Sequence, residues 1–331
     1  MSIKHLKSPC CDASSIKYGD RRKQCTKCKK TWWIRKQKRG RPSHRFLKSF
    51  ADNLFDTKST VKQRAHIAHL SERQYQYRMI GSLNQLSNID TYSAINPKQD
   101  FILLIDGVWV HCEKKRAVIY LSILRPINSS IGYLLPPVVA FGAESNKKWQ
   151  CILDSIPPEI LGQIKGLVCD GVSGMTEAGQ RRGWVVQRCQ FHFIKTIERF
   201  RGKKNRFITE KDFREDLYQK MRRALVLPEG KEADDLFLQI ADMASEDRCP
   251  KWVRLFVAEL LRYRQQFRAY ILHPDLCLPA TNNSSESLAA IIRTRLYLAR
   301  GFRTMASLRR WIQGLIANKK HIVCNPARQP N

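Results

Sequence analysis

Residues 101–107 read FILLIDG, and residues 166–171 read GLVCDG. In each stretch a short apolar run precedes an aspartate and a glycine, which predicts a buried strand with a carboxylate at its end. Neighbouring strands lie about 4.8 Å apart, so Asp106 and Asp170 could bind one divalent cation together. Mg²⁺ prefers such hard oxygen ligands. Asp-Gly is also a common start of a turn, which is the alternative interpretation of either aspartate alone.

Strands and helices alternate around these two runs. Further strands are predicted at 116–124, 132–141 and 184–187, and a helix at 145–155, with Pro136 and Pro137 interrupting the second of these strands. The alternation predicts an α/β fold.

Residues 201–280 lack the strand patterns of the preceding segment, because their apolar residues recur only at helical spacing. This spacing predicts an all-helical insertion. The sequence TNNSSE at 281–286 then predicts the start of a helix that ends at Gly301. Glu286 falls in its first turn, with Arg293 on the same face two turns later. A glutamate that reaches a metal beside an arginine that holds a phosphate suits a nuclease-type site. The alternative for Glu286 alone is a carboxylate that interacts with the helix dipole.

The composition points to a polyanionic partner. The chain has 331 residues, with 59 Lys and Arg against 29 Asp and Glu, a net charge of +30. Nucleic acid is the first candidate partner and an anionic membrane surface the second. The apolar runs are far shorter than the roughly 18 residues of a membrane span, and no secretory signal is recognisable. We expect a cytoplasmic, nucleoid-associated protein with no membrane partner.

The basic N-terminal segment carries four of the eleven cysteines, Cys10, Cys11, Cys25 and Cys28. The C-x-x-C spacing of Cys25 and Cys28 predicts a zinc knuckle, and the remaining pair, with His5 as a further candidate, would complete a tetrahedral Zn²⁺ site. Adjacent cysteines chelate one ion awkwardly, and Ser8 stands where a C-P-x-C pair would have its first ligand. Free surface thiols in a basic arm are the alternative.

Two elements that could bind DNA follow. Arg39-Gly40-Arg41-Pro42 has the core sequence of an AT-hook, whose arginines enter the minor groove; a basic hinge that contacts only phosphates is the alternative. Residues 46–88 predict a helix-turn-helix whose last helix begins with a capping box at Ser71 and Gln74. Its candidate DNA-binding residues are Arg73, Gln74, Gln76 and Arg78. The alternative is a helical linker with a solvated basic face.

The order of these motifs resembles bacterial insertion-sequence transposases related to Mutator-like elements, in the variant with an N-terminal zinc-binding ribbon. The motifs are Asp106, Asp170, Cys189-x-x-His192, the helical insertion, and Asn282-Asn283-x-x-Glu286 with Gly301-Phe302-Arg303. The resemblance implies an RNase H-like core and a catalytic triad of Asp106, Asp170 and Glu286. It places Cys189, His192 and Asn283 near the site, where the helix spacing also puts Arg293, and it leaves the role of Cys189 and His192 open.

The implied activity is that of a DDE transposase. Such an enzyme would use two Mg²⁺ (or Mn²⁺) ions to cleave double-stranded DNA at the terminal inverted repeats and to join the cut end to target DNA by transesterification. It would act on DNA as a homodimer or a larger assembly. The alternatives are a transposase-derived regulator that binds DNA without cutting it, and an RNase H-like nuclease. The predicted organisation is a zinc ribbon (1–37), a basic linker (38–45), a helix-turn-helix (46–88), a first core part (89–200), a helical insertion (201–280) and C-terminal helices (281–331).

Overall fold

A computed structural model of the chain describes residues 8, 10–18, 22–33, 60–87, 90–172, 174–201, 210–298, 302 and 304–324. The chain divides into two units, Met1–Phe50 and Ala51–Asn331. The proposed AT-hook at 38–45 and the first part of the predicted helix-turn-helix, 46–59, lie outside the described residues. Among the described helices, none combines the length and the apolar composition needed to cross a bilayer.

The N-terminal unit contains a small antiparallel sheet of β1 (Ser15–Lys17), β2 (Arg22–Cys25) and β3 (Thr31–Trp33), in that order. The turn after β2 carries the C-x-x-C pair. Its backbone closes on itself, since the Cys25 amide donates to the Lys30 carbonyl at 2.9 Å and the Lys29 amide to the Cys25 carbonyl at 3.1 Å. This hairpin brings Cys25 and Cys28 to one end of the sheet.

The larger unit is a mixed α/β structure, as the sequence predicts. Its strands are β4 (Phe101–Cys112), β5 (Lys115–Pro126), β6 (Ile131–Leu134), β7 (Val138–Phe141), β8 (Ile164–Cys169), β9 (Val185–Arg188) and β10 (His321–Val323). Its helices are α1 (Val61–Ile67), α2 (Glu72–Ser87), α3 (Asn146–Leu153), α4 (Pro158–Leu161), α5 (Met175–Arg181), α6 (Gln190–Arg201), α7 (Lys211–Val226), α8 (Lys231–Ser245), α9 (Lys251–Arg262), α10 (Arg264–Phe267), α11 (Ala269–Leu272), α12 (Asn283–Leu298) and α13 (Met305–Lys319).

The sheet has the order β10-β6-β5-β4-β8-β9, with β7 also paired to β5. β4 and β5, each twelve residues long, pair as an antiparallel hairpin. β4, β8 and β9 run parallel to one another. The prediction that Asp106 ends its strand is wrong, because β4 continues to Cys112 and places Asp106 in its middle. The prediction that Asp170 directly follows a strand is confirmed, because β8 ends at Cys169.

Among the residues that the structure describes, two helices precede the large sheet, and each begins with a capping box. Thr60 and Gln63 form the box of α1. The predicted box of α2 is confirmed: the Gln74 amide donates to Ser71 Oγ at 3.2 Å, and the Ser71 amide donates to Gln74 Oε1 at 3.3 Å. These reciprocal bonds satisfy amides that a helix start leaves unpaired.

Helix α2 packs against the C-terminal helix α13. Leu83 of α2 is 3% exposed, and a Cβ added at Gly314 of α13 would lie 2.5 Å from its Cδ2 atom. The glycine therefore permits the close approach of the two helices.

Helices α7–α11, here called the helical block, share a hydrophobic core with α6. The predicted apolar face of Phe213, Leu217, Met221 and Leu225 is buried there, together with Ile240 and Leu260. Buried amide side chains attach the block to β9 and to the start of α6: Gln187 Nε2 donates to the Phe267 carbonyl at 2.9 Å, and Gln190 Nε2 donates to the Leu225 carbonyl at 3.0 Å. The block thus has a fixed position beside the end of β9.

Candidate active site

The two aspartates occupy equivalent positions along adjacent parallel strands, with Asp106 inside β4 and Asp170 directly after β8. The ladder between β4 and β8 pairs Leu104 with Val168, and each aspartate lies two residues further along its strand direction. Asp106 is buried, 5% exposed, and its Oδ2 atom has no hydrogen-bond partner. Asp170 is half-buried and its Oδ1 accepts from the Val172 amide at 3.3 Å. The β4–β8 register brings the two carboxylates to one place in the sheet.

The first turn of α12 delivers Glu286 to the same place. Asn282, which directly precedes α12, is fully buried. Its Nδ2 donates to the Ile105 carbonyl at 2.8 Å, and its backbone amide donates to Cys189 Sγ at 3.2 Å. The start of the helix is therefore attached to β4 one residue before Asp106, although the two residues are far apart in sequence.

Two basic side chains, His192 and Arg293, lie beside the Glu286 carboxylate. His192 Nε2 lies 2.9 Å from Glu286 Oε1, and Arg293 Nη1 lies 3.9 Å from Glu286 Oε2. His192 Nδ1 is buried without a hydrogen-bond partner. The Arg293 side chain is 51% exposed, so its guanidinium remains accessible to a ligand that approaches the carboxylates.

The carboxylates repel one another. Burial, followed by the charges of Glu286, Asp170 and Glu144, raises the pKa of Asp106 from 3.8 to about 7, with Arg293 acting in the opposite direction. Desolvation and like charges both disfavour the ionised form of an acid. A bound cation would reverse both effects. The buried Asp106 Oδ2 atom, which has no donor, is the feature of this site that suits a divalent cation. Among the described residues, only the four N-terminal cysteines hold their ligand atoms within 4.8 Å of one another, so the three carboxylates would have to draw together around an ion.

Glu144 is a further carboxylate near Asp106, on the opposite face of β4, that the sequence does not reveal. A Cβ at Gly107 would lie 2.7 Å from Glu144 Oε1, so the carboxyl group occupies the space that a side chain at 107 would need. Trp149 Nε1 donates to Glu144 Oε1 at 2.8 Å. Burial raises the pKa of Glu144 from 4.5 to about 7; the Trp149 bond lowers it and the charge of Asp170 raises it.

The other predicted near-site residues separate into two groups. Cys189, His192 and Arg293 contact Glu286 or the start of its helix, as described above. Asn283 is exposed, and it is its neighbour Asn282 that binds β4. Burial raises the pKa of the Cys189 thiol, which is consistent with a neutral thiol that accepts from the Asn282 amide. The sequence does contain a signal for Asn282, because asparagine is a preferred residue at the N-cap position that directly precedes a helix.

The four N-terminal cysteines come together. The Sγ atoms of Cys10, Cys11, Cys25 and Cys28 all lie within 4.8 Å of one another. A tetrahedral Zn²⁺ with bonds of about 2.3 Å holds its sulfurs about 3.8 Å apart, so the set fits zinc. Both adjacent cysteines take part. Ser8 is buried, and its Oγ lies 2.8 Å from Cys10 Sγ, where it orients the adjacent pair rather than replacing a ligand.

The candidate DNA-binding residues of α2 lie at its start. Arg73, Gln74 and Gln76 are exposed, and Arg78 is half-buried. Tyr75 points inward and is 3% exposed. Arg39 and Arg41 lie outside the described residues.

Comparison with known proteins identifies the family. No curated protein matches the chain. The family model described as "Transposase, Mutator family" matches residues 135–323, which is more than half of the chain. The match includes Glu144, Asp170, His192 and Glu286 and begins after Asp106. The chain therefore belongs to the Mutator family of transposases.

Proposed function

We propose that the protein is a DNA transposase with an RNase H-like catalytic core, interrupted between α6 and α12 by the helical block. Asp106, Asp170 and Glu286 form its catalytic triad. The observation that carries this proposal is the convergence of the triad: the β4–β8 register aligns the aspartates, and Asn282 binds β4 beside Asp106 while it begins the helix of Glu286. The charges of Glu286 and Asp170 both act on Asp106, although the three acids come from distant segments of the chain, and this supports the proposal.

The triad would hold two Mg²⁺ or Mn²⁺ ions. When bound, such ions activate water and stabilise the attacking and leaving oxygens of an in-line phosphoryl transfer. Hydrolysis of a phosphodiester at the element end leaves a 3′-hydroxyl. That hydroxyl attacks a phosphodiester of the target, forming one P–O bond as another breaks, so the transfer needs no external energy source.

The neighbouring side chains would prepare the triad and the DNA. His192 fixes the orientation of the Glu286 carboxylate through Oε1. Cys189 acts one step further away, because it binds the amide that precedes α12. Arg293, exposed beside Glu286, is positioned to neutralise a phosphate of the scissile strand. These roles make His192 and Cys189 positioning residues.

DNA recognition would come from the segments before the core. We propose that α1 and α2 belong to a helix-turn-helix in which Arg73, Gln74 and Gln76 contact bases of the terminal inverted repeats. The four cysteines would bind one Zn²⁺ and stabilise a ribbon that contributes to the same recognition. Transposition joins two element ends, so the active form on DNA would be a dimer or a larger assembly.

A cleavage assay tests the proposal. A labelled duplex carrying the flanking end of the gene is incubated with Mg²⁺ or Mn²⁺ and either the wild-type protein, Glu286→Gln or Glu159→Gln. Glu159 is an exposed acid on α4, so its variant controls for loss of one charge. We expect wild type and Glu159→Gln to nick at the repeat boundary and leave a 3′-hydroxyl, and Glu286→Gln to be inactive.

Two outcomes would contradict the proposal. Equal cleavage by all three proteins would remove Glu286 from the site. Binding without cleavage by any of them, in both metals and with paired ends supplied, would favour the regulator that has lost its nuclease activity.

A further inference from the structure

The exposed side of α6 carries an aromatic ring beside a positive charge. Phe193 and Ile197 turn inward, into the hydrophobic core that α6 shares with the helical block. Phe191 and Lys195 lie four residues apart on another face, since positions i and i+4 of a helix are neighbours. Phe191 is 38% exposed, and Lys195 Nζ lies 5.2 Å from the centroid of its ring. This separation is typical of a cation–π pair.

One side chain separates the Phe191 ring from the Glu286 carboxylate. The rings of Phe191 and His192 meet edge to face, with centroids 5.8 Å apart and planes at 76°. His192 Nε2 in turn lies 2.9 Å from Glu286 Oε1. The guanidinium of Arg293 lies on the other side of the same carboxylate, 3.9 Å from Oε2. A strand bound at Glu286 therefore has an exposed aromatic ring and two cations beside it.

The start of α6 holds this ring in place. Gln190 directly precedes Phe191 and is 4% exposed. Its backbone amide donates to the Ala280 carbonyl at 3.0 Å, and its Nε2 donates to the carbonyls of Leu225 at 3.0 Å and Phe267 at 2.8 Å. The backbone that carries Phe191 is thus fixed before any ligand binds, which lowers the entropic cost of a contact with the ring.

An aromatic ring beside an ammonium group suits a nucleotide that has left its duplex. Bases stack on aromatic side chains with little regard to sequence, and lysines bind the phosphates of the same strand. A base inside a duplex is covered by its neighbours, so it must leave the stack before a protein ring can contact it. Single exposed aromatic residues are common on protein surfaces. Phe191 differs because it lies beside Glu286 and a cation, in a chain with a net charge of +30.

We propose that Phe191 stacks on an unpaired base of the scissile strand at the cut, while Lys195 binds a phosphate of that strand. The inference rests on the proposed function, because it assumes that DNA is cleaved at Glu286. It extends that function by stating the form of the substrate: the base pair at the element boundary opens, and the exposed ring of α6 accepts one of its bases.

Binding to paired and unpaired element ends tests this contact. Two duplexes carry the same end, one fully paired and one with mismatched bases at the boundary, and affinity is measured by fluorescence anisotropy without divalent metal. The wild type should prefer the unpaired duplex by at least about 5-fold, the lower limit of what stacking of one base contributes. Phe191→Ala should lose this preference, and Phe191→Trp should keep it. Leu238→Ala, which shortens an exposed apolar side chain of the helical block, is the matched control and should behave like the wild type.

Two further measurements identify the contact itself. A 5-iodouracil base at the boundary forms photochemical crosslinks to aromatic side chains that stack on it, and we expect the crosslinked peptide to contain Phe191. Lys195→Gln should weaken binding to both duplexes equally and lower the slope of affinity against salt by about one ion, because it removes a phosphate contact.

The outcomes separate this inference from the proposed function. If Phe191→Ala keeps the preference for the unpaired duplex, or weakens binding to both duplexes equally, the stacking role is overturned while cleavage by the wild type still supports the transposase. If the wild type binds both duplexes equally, no boundary base is captured and the inference also fails. A wild type that neither binds nor cuts the element end would overturn both proposals. Thermal unfolding of Phe191→Ala should match that of the wild type, since the ring is exposed; a less stable variant would assign Phe191 a structural role instead.

Discussion

Asp106→Asn should stabilise the metal-free protein, and the gain should grow with pH. The folded state raises the pKa of Asp106 from 3.8 to about 7, mainly through burial and then through the charge of Glu286. The folded protein therefore binds this proton more tightly than the unfolded chain does. Between about pH 4 and pH 7 the aspartate is ionised in the unfolded chain but still protonated in the folded protein. The ionisable group therefore lowers the free energy of unfolding progressively as pH rises through this range, and above the folded pKa the reduction stays constant.

The size of the effect follows from the shift. One pKa unit corresponds to 1.36 kcal/mol, so a shift of about three units costs about 4 kcal/mol at pH 8 and about 2 kcal/mol at pH 5. Asparagine fills the same space and does not ionise. The difference in the free energy of unfolding between the variant and the wild type should therefore increase by about 2 to 3 kcal/mol from pH 5 to pH 8.

Urea unfolding in metal-depleted buffer measures this difference. Fluorescence of the buried Trp149 and circular dichroism report on the larger unit, and both proteins are compared at pH 5, 6, 7 and 8. Asp235→Asn is the control, since Asp235 is an exposed helical residue of the helical block and the variant removes one aspartate charge outside the buried site. A difference between Asp106→Asn and wild type that stays constant over this range would refute the account of a buried, repelled carboxylate.

Three further predictions concern other parts of the chain. Cys25→Ser should reduce bound zinc from one ion per chain to none by metal analysis, while Cys151→Ser, at an exposed thiol of the larger unit, should retain it. Gly314→Ala should destabilise the protein by about 1 to 3 kcal/mol in thermal unfolding, because its methyl group would overlap α2. Gly81→Ala, whose added methyl group would meet nothing within 4 Å, should instead be neutral or stabilising by up to about 1 kcal/mol. Arg73→Ala should weaken binding to the element end by about 1 to 3 kcal/mol in electrophoretic mobility shifts at fixed salt; an unchanged affinity would exclude α2 from base recognition.

The strands of the core could be predicted from the sequence, but the extent of β4 could not. Apolar residues preceding Asp-Gly indicated that the strand ends there. The structure shows continued alternation beyond the glycine, with Val108 and Val110 buried and Trp109 half exposed. That alternation is present in the sequence, yet the turn preference of Asp-Gly competes with it. Pairing with β5 decides the outcome, because a twelve-residue ladder outweighs a local turn preference.

The candidate site could be predicted from the sequence where one local pattern sufficed. The aspartates and the helix of Glu286 have such patterns. Glu144 has none, because its contacts with Gly107 and Trp149 depend on how α3 packs on the sheet. The register of the helix start was uncertain by one residue, since Asn282 and Asn283 are chemically identical caps. The sequence also could not show whether both Cys10 and Cys11 join Cys25 and Cys28. Adjacent positions in the chain do not determine whether both sulfurs approach the same point, and the structure shows that they do.

The packing of α2 on α13 has a consequence for damaged copies of the gene. A frameshift or an early stop codon late in the reading frame removes α13, and Leu83 of α2 then loses the helix that covers it. Such a shortened product lacks the support of the helix that carries the candidate base-contacting residues, even though every one of those residues is still encoded. Deletions confined to the middle of the frame leave both helices encoded. Decayed copies that still compete with the intact protein for element ends should therefore be found among internal deletions rather than among products cut short at their C-terminus.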